Sequence, residues 1–298
     1  MQYRQLGRSP LLISAIGFGC MSLGEREADN EWLIHQALAA GINFFDTADL
    51  YERGMNEEQV GRILRGRREE VVLATKVGNR WRENCSGWDW DPGKKYIMSA
   101  VDDSLRRLGT DRIDLYQLHG GTMEDPIDET IEAFEILQQQ GKIRYYGISS
   151  IRPTVIREWV KKSSIVSVMV QYNLLDRRPE ESIFPLLRGH DIGILARGPL
   201  AKGLLVDKPA VSFLDQGPES VEKAAKIIHS HSGKEREPAG TALQFVLSEP
   251  GVTSAVTGIR TKEQLAAAVG AMSVQWLTAQ ELAELRVGIP AGYYKEHR

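Results

Sequence analysis

The sequence predicts an α/β protein with a (β/α)8 barrel, the TIM-barrel class, preceded by an N-terminal β-hairpin. Eight short apolar runs rich in Val and Ile are spaced along the chain, with helical periodicity between them. Most runs are continuous rather than alternating, which is typical of parallel strands buried on both faces. Eight strand–helix alternations favour a closed barrel. The predicted strands are Ile13 to Gly19, Ile42 to Asp46, Val71 to Val77, Ile113 to His119, Arg144 to Ser149, Ile165 to Tyr172, Ile192 to Gly198 and Val252 to Ile259.

The first element in chain order is the hairpin. The segment YRQLGRSPLLIS has turn residues at its centre, with Gly7 to Pro10 as the predicted turn. We expect it to cover the bottom of the barrel.

Two helix starts have the same signature. Asp91-Pro92 and Asp125-Pro126 each place Asp as a predicted N-cap before Pro at the first helical position. Gly109 and Gly141 are the predicted ends of these helices. Capping-box spacing also occurs at Thr261 with Gln264 and at Thr278 with Glu281.

Two longer segments interrupt the alternation. Residues 206–238 form a polar insertion between the last two predicted strands, with one predicted helix from Glu219 to Ser230. Residues 78–92 are predicted as an irregular loop. No interdomain linker breaks the chain, so residues 1–298 are expected to form a single domain. Loop 78–92 carries Trp81, Cys85, Trp88 and Trp90.

The composition is that of an ordinary globular protein. Of 298 residues, 42% are hydrophobic and 26% are charged, and the formal net charge is −3. Nothing in this balance favours a nucleic-acid partner. The two cysteines do not predict a disulfide framework. The chain has neither a signal-peptide pattern at its N-terminus nor an apolar stretch of membrane-spanning length, so a cytoplasmic location without membrane contact is expected.

Four residues with complementary chemistry stand where strands give way to loops. Asp46, Lys76 and His119 end three successive predicted strands, and Tyr51 follows Asp46 in the next loop. Active sites of such barrels lie at the C-terminal ends of the strands. A cation beside Tyr favours its phenolate, and a carboxylate keeps that cation charged. Such a Tyr can give a proton to a carbonyl oxygen, while His orients the carbonyl.

Each of these residues also has a purely structural interpretation. Asp46 can cap a turn, Tyr51 can be a half-buried surface aromatic, and His119 can be a packing residue. Lys76 is the least ordinary, because a Lys within an apolar strand is rarely buried without a partner. The occurrence of three of them on consecutive strand ends, with Tyr51 in the loop after the first, favours catalysis.

An ordered series of motifs then resembles one family along nearly the whole chain. DTADLYERGMNEEQVG, LATKVG and DLYQLHG carry the four residues, and GKIRYYGISS, VQYNLLDR, RGPLAKGLL and GIRTKEQL follow in order. The chain resembles an aldo-keto reductase, of the bacterial branch related to potassium-channel β subunits and general stress reductases. The resemblance implies reduction of an aldehyde or ketone to an alcohol, with hydride from NADPH, which is preferred over NADH. It also implies that Tyr51 is the proton donor, Lys76 its tuner, Asp46 the partner of Lys76, and His119 the residue that orients the substrate.

The resemblance also implies a cofactor site without a Rossmann fold. Ser149 and Gln171 are expected to hold the nicotinamide carboxamide. Arg197 stands where the family commonly has an aromatic residue that stacks on the nicotinamide. A guanidinium can also stack on a ring, although a salt bridge at the barrel rim is the plainer interpretation. The loop expected over the pyrophosphate contains Gly198, Leu200 and Gly203.

The adenosine end departs further from the family. Leu265 is followed by AAAV, where members often have Glu-Asn. The predicted helix after the eighth strand still begins beside Arg and Lys side chains. Its N-terminus is therefore a natural site for the 2′-phosphate of NADP. Simple helix capping and a solvated face are the alternatives for these residues. The residues of this predicted phosphate site are Gly258, Arg260, Thr261, Lys262 and Gln264.

Two other functional classes compete with an enzyme of this kind. A relative that binds NADP as a regulatory or interaction subunit, with little turnover, would not need the intact set of four residues. A metal-dependent barrel hydrolase or lyase would need more His and carboxylate side chains at strand ends. His229 and His231 form a pair without an obvious third ligand, so no metal is predicted. Substrate choice is expected to depend on loops 78–92 and 206–238 and on the C-terminal GIPAGYYKEHR.

Overall fold

The computed structural model describes residues 1–84 and 86–298, so Cys85 lies outside the described residues. Eight parallel strands close into a barrel in the order in which they occur along the chain, and the last pairs back to the first. This confirms the predicted (β/α)8 fold. The barrel strands are β3 (Ile16–Gly19), β4 (Phe44–Asp46), β5 (Val72–Val77), β8 (Ile113–Leu118), β9 (Ile143–Ser149), β10 (Ser167–Gln171), β11 (Gly193–Arg197) and β12 (Val252–Gly258).

Helices surround the barrel and pack their apolar faces against its outer side, which forms the main core. No helix in the described ranges has both the length and the apolar character to cross a membrane. The helices are α1 (Glu27–Ala39), α2 (Met55–Ile63), α3 (Lys94–Leu108), α4 (Ile127–Gln139), α5 (Pro153–Lys162), α6 (Ile183–Gly189), α7 (Pro218–Ser230), α8 (Pro238–Leu247), α9 (Lys262–Gly270) and α10 (Ala279–Gly288).

The predicted N-terminal hairpin is present and closes the bottom of the barrel. Strands β1 (Tyr3–Gln5) and β2 (Leu12–Ser14) pair antiparallel, and Leu6 shares a buried cluster with barrel-interior residues such as Leu195. Gly7 has φ 53°, and a Cβ there would lie 2.4 Å from the Val166 carbonyl oxygen. The single strand predicted from Ile13 to Gly19 is wrong in one respect, because it divides at Ala15. The first part belongs to β2, which pairs with β1 within the hairpin, and the second part is β3, which pairs with β4 and β12.

Both predicted Asp N-caps are wrong, although their helices exist. Helix α3 begins at Lys94 after Gly93, and the Asp91 carboxylate accepts the Gly93 N–H at 3.1 Å. Helix α4 begins at Ile127, and Asp125 accepts hydrogen bonds from within its own loop and from Trp90 Nε1 at 2.8 Å. The predicted ends hold, because Gly109 and Gly141 have φ of 61° and 75°.

The loop predicted as irregular contains a two-stranded ribbon. Strands β6 (Asn79–Trp81) and β7 (Trp88–Trp90) pair antiparallel. The Trp90 ring packs against the ends of β5 and β8, since a Cβ on Gly78 or Gly120 would lie 2.7 or 3.1 Å from it. Trp81 Nε1 donates to the Leu50 carbonyl at 3.2 Å. The ribbon is therefore fixed beside the upper barrel rim.

The remaining sequence predictions concern the last third of the chain. The helix predicted within the 206–238 insertion is α7, which begins one residue early at Pro218. Thr278 and Glu281 form the predicted capping box at the start of α10. Thr261 accepts from the Gln264 N–H, but the Gln264 side chain accepts from the Arg260 N–H at 2.8 Å. At the start of α9 the Gln264 side chain therefore accepts from the residue before Thr261, and not from Thr261 as a capping box requires.

Candidate active site

The structure brings together the four predicted catalytic residues, called here the tetrad: Asp46, Tyr51, Lys76 and His119. Lys76 lies near the end of β5 and is 1% exposed. Its Nζ donates to Asp46 Oδ2 at 2.7 Å, to the Thr47 carbonyl at 2.7 Å and to Tyr51 Oη at 3.2 Å. These three bonds use all three donors of the ammonium group.

A tight turn returns Tyr51 to the barrel mouth. The chain passes through Glu52 and Arg53 with φ of 49° and 58°, and then through Gly54 with φ 87°. Gly54 suits this turn because a φ of 87° is strained for a residue with a side chain, and a Cβ there would also lie 2.7 Å from the Arg107 side chain. The ring of Tyr51 stands edge-on to His119, with 5.8 Å between ring centroids.

The charges of this cluster are strongly coupled. Burial lowers the pKa of Lys76, but Asp46 and then Tyr51 outweigh it, and the net direction of the pKa is upward. Burial raises the pKa of Asp46, with Lys76 opposing. Burial also raises the pKa of Tyr51 more than Lys76 lowers it. The direction for Tyr51 is therefore opposite to that expected from Lys76 alone, and Tyr51 is a neutral phenol at neutral pH.

His119 follows β8 directly, and its backbone N–H donates to the Val77 carbonyl at 2.7 Å. Its Nδ1 is buried and has no hydrogen-bond partner among the residues that the structure describes. Burial, with the charges of Lys76 and Arg197, lowers the pKa of His119 to about 3. The imidazole is therefore neutral over the physiological range.

The residues predicted to hold the nicotinamide end three neighbouring strands at the same rim. Ser149 ends β9 and is buried. Gln171 and Arg197 end β10 and β11 and stand opposite each other in register. Arg197 Nη1 donates to Gln171 Oε1 at 3.0 Å, and Gln171 Nε2 donates to Asp176 Oδ2 at 2.9 Å. A salt bridge was one interpretation of Arg197 from the sequence. In the structure Arg197 instead donates a hydrogen bond to the Gln171 amide at the rim.

The predicted pyrophosphate loop has a strained backbone above the rim. Gly198 and Gly203 have φ of 66° and 93°, and Ala201 and Lys202 between them also have positive φ. Leu200, in the same loop, is half-buried. The side-chain amide of Asn173 donates to the Gly198 carbonyl at 2.9 Å. A Cβ built at Gly198 would lie 3.9 Å from Gln171 Cγ, so this glycine stands next to the Gln171 side chain.

The predicted phosphate site lies where β12 meets α9. Gly258 ends β12 and touches Ser22, so the loop after β3 lies next to it. Arg260, Lys262 and Gln264 are exposed around the start of α9. Lys262 Nζ lies 4.5 Å from the centroid of the Trp32 ring, and the Gln264 side chain is used in capping. Arg260, Lys262 and Gln264 thus lie around one helix start. Along the sequence they are far from the tetrad.

The structure also places residues at this rim that the sequence analysis missed. Met21, after β3, is 65% exposed beside Ser22. Asp176, Arg178 and Tyr294 meet near Gln171. No local pattern predicts that contact, because Tyr294 is distant in sequence. A cavity of about 450 Å³ lies at the opposite end, beside Gly7 and Gly193, and contains none of the predicted site residues.

A second buried cluster lies behind the tetrad. Asp49 is 6% exposed, and its N–H donates to the Lys76 carbonyl at 3.2 Å. Its Oδ2 accepts from Tyr96 Oη at 3.4 Å, while Oδ1 has no partner in the described part of the chain. Glu57, also buried, pairs with Arg107 at 2.6 Å. Burial, and next the Glu57 charge, raise the pKa of Asp49 well above its ordinary value.

Replacing Asp49 by Asn is expected to stabilise the protein at neutral pH. The folded state binds the Asp49 proton more tightly than the unfolded state, whose carboxyl has a pKa of about 3.9. The free energy of unfolding of the wild type therefore falls, relative to that of the variant, as the pH rises above the pKa of the unfolded-state carboxyl. The variant's advantage should therefore be larger at neutral pH than at acidic pH. Urea unfolding at about pH 5 and about pH 8 checks this, and a variant with no larger advantage at the higher pH would contradict it.

Comparison with known proteins decides the family. A family model described as the aldo/keto reductase family matches residues 15–287. The chain belongs to this family. Aldo-keto reductases are oxidoreductases that act on small-molecule carbonyl compounds and generally use nicotinamide cofactors.

Relatives of the chain match all or nearly all of its length. It is 50% identical to an uncharacterized oxidoreductase, YqkF, of Bacillus subtilis, over 100% of both chains. It is 32% identical to a probable aldo-keto reductase 1 of Glycine max, over 97% of this chain and 89% of the other. Aldo-keto reductase AKR11C1 of Bacillus halodurans is similar in structure. Its holo form has 49% identity and a TM-score of 0.94, over 100% of this chain and 99% of that one. Its apo form has 46% identity and a TM-score of 0.86, with the same coverage.

Proposed function

We propose that this aldo-keto reductase uses NADPH to reduce an aldehyde or a ketone to an alcohol, with Tyr51 as the proton donor. The observation that carries the proposal is the buried ammonium of Lys76, held by Asp46 at 2.7 Å and bonded to Tyr51 at 3.2 Å. A buried Lys with these two partners, in a barrel mouth beside His119, is costly for stability alone. A role in proton transfer at this rim accounts for burying Lys76.

The chain's own residues divide the work. Tyr51, a neutral phenol, donates its proton to the carbonyl oxygen as that oxygen gains charge. The Lys76 ammonium then stabilises the phenolate, and Asp46 keeps that ammonium in place. His119 is neutral and can donate a hydrogen bond to the same oxygen without adding a charge. When bound, NADPH supplies the hydride for the carbonyl carbon.

The donor set at the rim fits a dinucleotide. An amide and a hydroxyl, from Gln171 and Ser149, match the donors and acceptors of a nicotinamide carboxamide. The Arg197 guanidinium beside Gln171 is planar and can stack on the nicotinamide ring. Gly198 has no side chain and stands next to Gln171, so its backbone could approach a pyrophosphate, with Leu200 and Gly203 in the same loop.

The experiment that tests this function is a panel of aldehydes, ketones and quinones, each supplied with NADPH or NADH. Consumption of NADPH with formation of the alcohol supports the proposal. Tight binding of NADPH with no turnover on any carbonyl would instead indicate a regulatory or interaction subunit. Absence of binding to either cofactor would contradict both functions.

Cofactor choice is expected to depend on Arg260 and Lys262. The 2′-phosphate of NADPH should lie at the start of α9, near Gly258 and Gln264, where backbone N–H groups and these two cations meet it. Replacing both cations by Gln should weaken NADPH binding at least tenfold, because each charge-assisted hydrogen bond contributes about 1.5–3 kcal/mol. NADH has no charge there, so its binding should change little.

Fluorescence titration of both cofactors measures this preference. The matched control removes two exposed cations of α7, Lys223 and Lys226, and reports the effect of net charge alone. Equal weakening of NADPH and NADH in the α9 variant would place the phosphate elsewhere. Arg260 and Lys262 would then be a solvated helix start.

A further inference from the structure

The C-terminal segment, residues 289–298, passes over the barrel rim on the side of Gln171. It is attached at several points. Arg177 Nη1 donates to the Ile289 carbonyl at 2.8 Å, and the Thr154 N–H donates to the His297 carbonyl at 3.0 Å. Arg177 follows β10 and Thr154 follows β9, so both anchors lie at the C-terminal ends of the strands. Between these anchors Tyr294 is only 5% exposed.

A continuous chain of contacts joins Tyr294 to the proposed nicotinamide site. The Arg178 guanidinium carbon lies 4.8 Å from the centroid of the Tyr294 ring. Arg178 forms a two-pronged bond to Asp176, with Nε 2.7 Å from Oδ1 and Nη2 2.9 Å from Oδ2. Asp176 Oδ2 accepts from Gln171 Nε2 at 2.9 Å. Gln171 Oε1 accepts from Arg197 Nη1 at 3.0 Å.

This chain determines which way the Gln171 amide faces. A carboxylate can only accept and a guanidinium can only donate, so Asp176 fixes Nε2 on one side and Arg197 fixes Oε1 on the other. Asp176 is 2% exposed and depends on Arg178 for its countercharge. Without a correctly oriented Arg178, the buried carboxylate would compete for Arg197, and the amide would lose its fixed orientation.

We propose that Tyr294 is a positioning residue for the nicotinamide: its ring holds Arg178 over Asp176, and Asp176 thereby sets the orientation of the Gln171 amide. The inference rests on the proposed function, because the amide matters only if it meets a nicotinamide carboxamide. It assigns the C-terminal segment a role in cofactor binding in addition to the role expected in substrate choice.

The phenol oxygen supplies a matched control. Tyr294 Oη is buried and has no hydrogen-bond partner within the described ranges. Tyr294→Phe keeps the ring against Arg178 and removes only this unpaired hydroxyl. Tyr294→Leu removes the ring. The two variants therefore separate the effect of losing the ring from the effect of losing the hydroxyl.

The test compares dissociation constants for NADPH and for adenosine 2′,5′-bisphosphate, which has the phosphate end of NADPH but no nicotinamide. Tyr294→Leu should weaken NADPH binding about threefold to tenfold, in line with the loss of a partly buried cation–π contact. Binding of the bisphosphate should stay within twofold of wild type. Tyr294→Phe should match wild type for both ligands.

A second variant keeps the inference testable if Tyr294→Leu does not fold. Arg178→Lys retains the positive charge but loses the planar fork and the stacking, and it should give the same selective loss of NADPH. Unchanged NADPH binding in Arg178→Lys or a folded Tyr294→Leu overturns the inference, as does equal weakening of both ligands. Wild-type protein that binds the bisphosphate but not NADPH would remove the proposed function and this inference together. Normal turnover by wild type with an unaffected Tyr294→Leu would remove only the inference.

Discussion

Replacing Tyr51 by Phe is expected to lower the rate of carbonyl reduction about 10²–10⁴-fold, the usual contribution of one positioned acid. The ring keeps its edge-on contact with His119, at 5.8 Å between centroids, so the mouth should stay packed. Only the hydroxyl bonded to Lys76 is lost. Cofactor affinity should therefore hold while turnover falls.

Steady-state turnover and a cofactor titration of the Tyr51→Phe variant check this expectation. Tyr116→Phe is a matched control, because the Tyr116 hydroxyl is buried and has no partner among the described residues. It should reduce carbonyls at the wild-type rate. Near wild-type turnover in Tyr51→Phe would show that another group donates the proton.

Replacing Lys76 by Met is expected to lower turnover about as much as the loss of the Tyr51 hydroxyl. The phenolate that forms during proton transfer would lose its nearest cation, and the buried Asp46 would lose its ion-pair partner at 2.7 Å. Because Tyr51 and Lys76 act as a unit, the double variant should be little slower than either single variant. The same substitution should also destabilise the fold, since it leaves an unpaired buried charge.

A double-mutant cycle of turnover numbers measures this coupling. Circular dichroism of each variant separates lost catalysis from lost folding. Multiplicative losses in correctly folded variants would indicate that Lys76 and Tyr51 contribute independently, and would contradict the shared mechanism.

The barrel could be predicted from the sequence because its signal is local. Strands buried on both faces are mostly apolar along their length, and β5 and β8 are buried at every position although each also contains polar residues. The tetrad could be located for a related reason. A closed parallel barrel brings all strand ends to one rim, so Asp46, Lys76 and His119 converge once the strands are known.

Features that depend on tertiary contacts could not be predicted from the sequence. Asp125 has the pattern of an N-cap, but Trp90 and its own loop take its carboxylate. The pKa of Tyr51 is raised because burial outweighs Lys76, and the degree of burial is set by the whole mouth. The contact between Tyr294 and Arg178 joins residues more than a hundred positions apart. Local spacing carries no information on such pairs.

The most direct test of carbonyl reduction at the tetrad is a single-turnover experiment. Wild-type protein saturated with NADPH is mixed with excess para-nitrobenzaldehyde, and both the oxidised cofactor and the alcohol are measured. We expect each equivalent of bound NADPH to yield an equivalent of alcohol, with the Tyr51→Phe variant far slower under the same conditions. Bound NADPH that stays reduced while no alcohol forms, with this and other activated aldehydes, would contradict catalysis at this site.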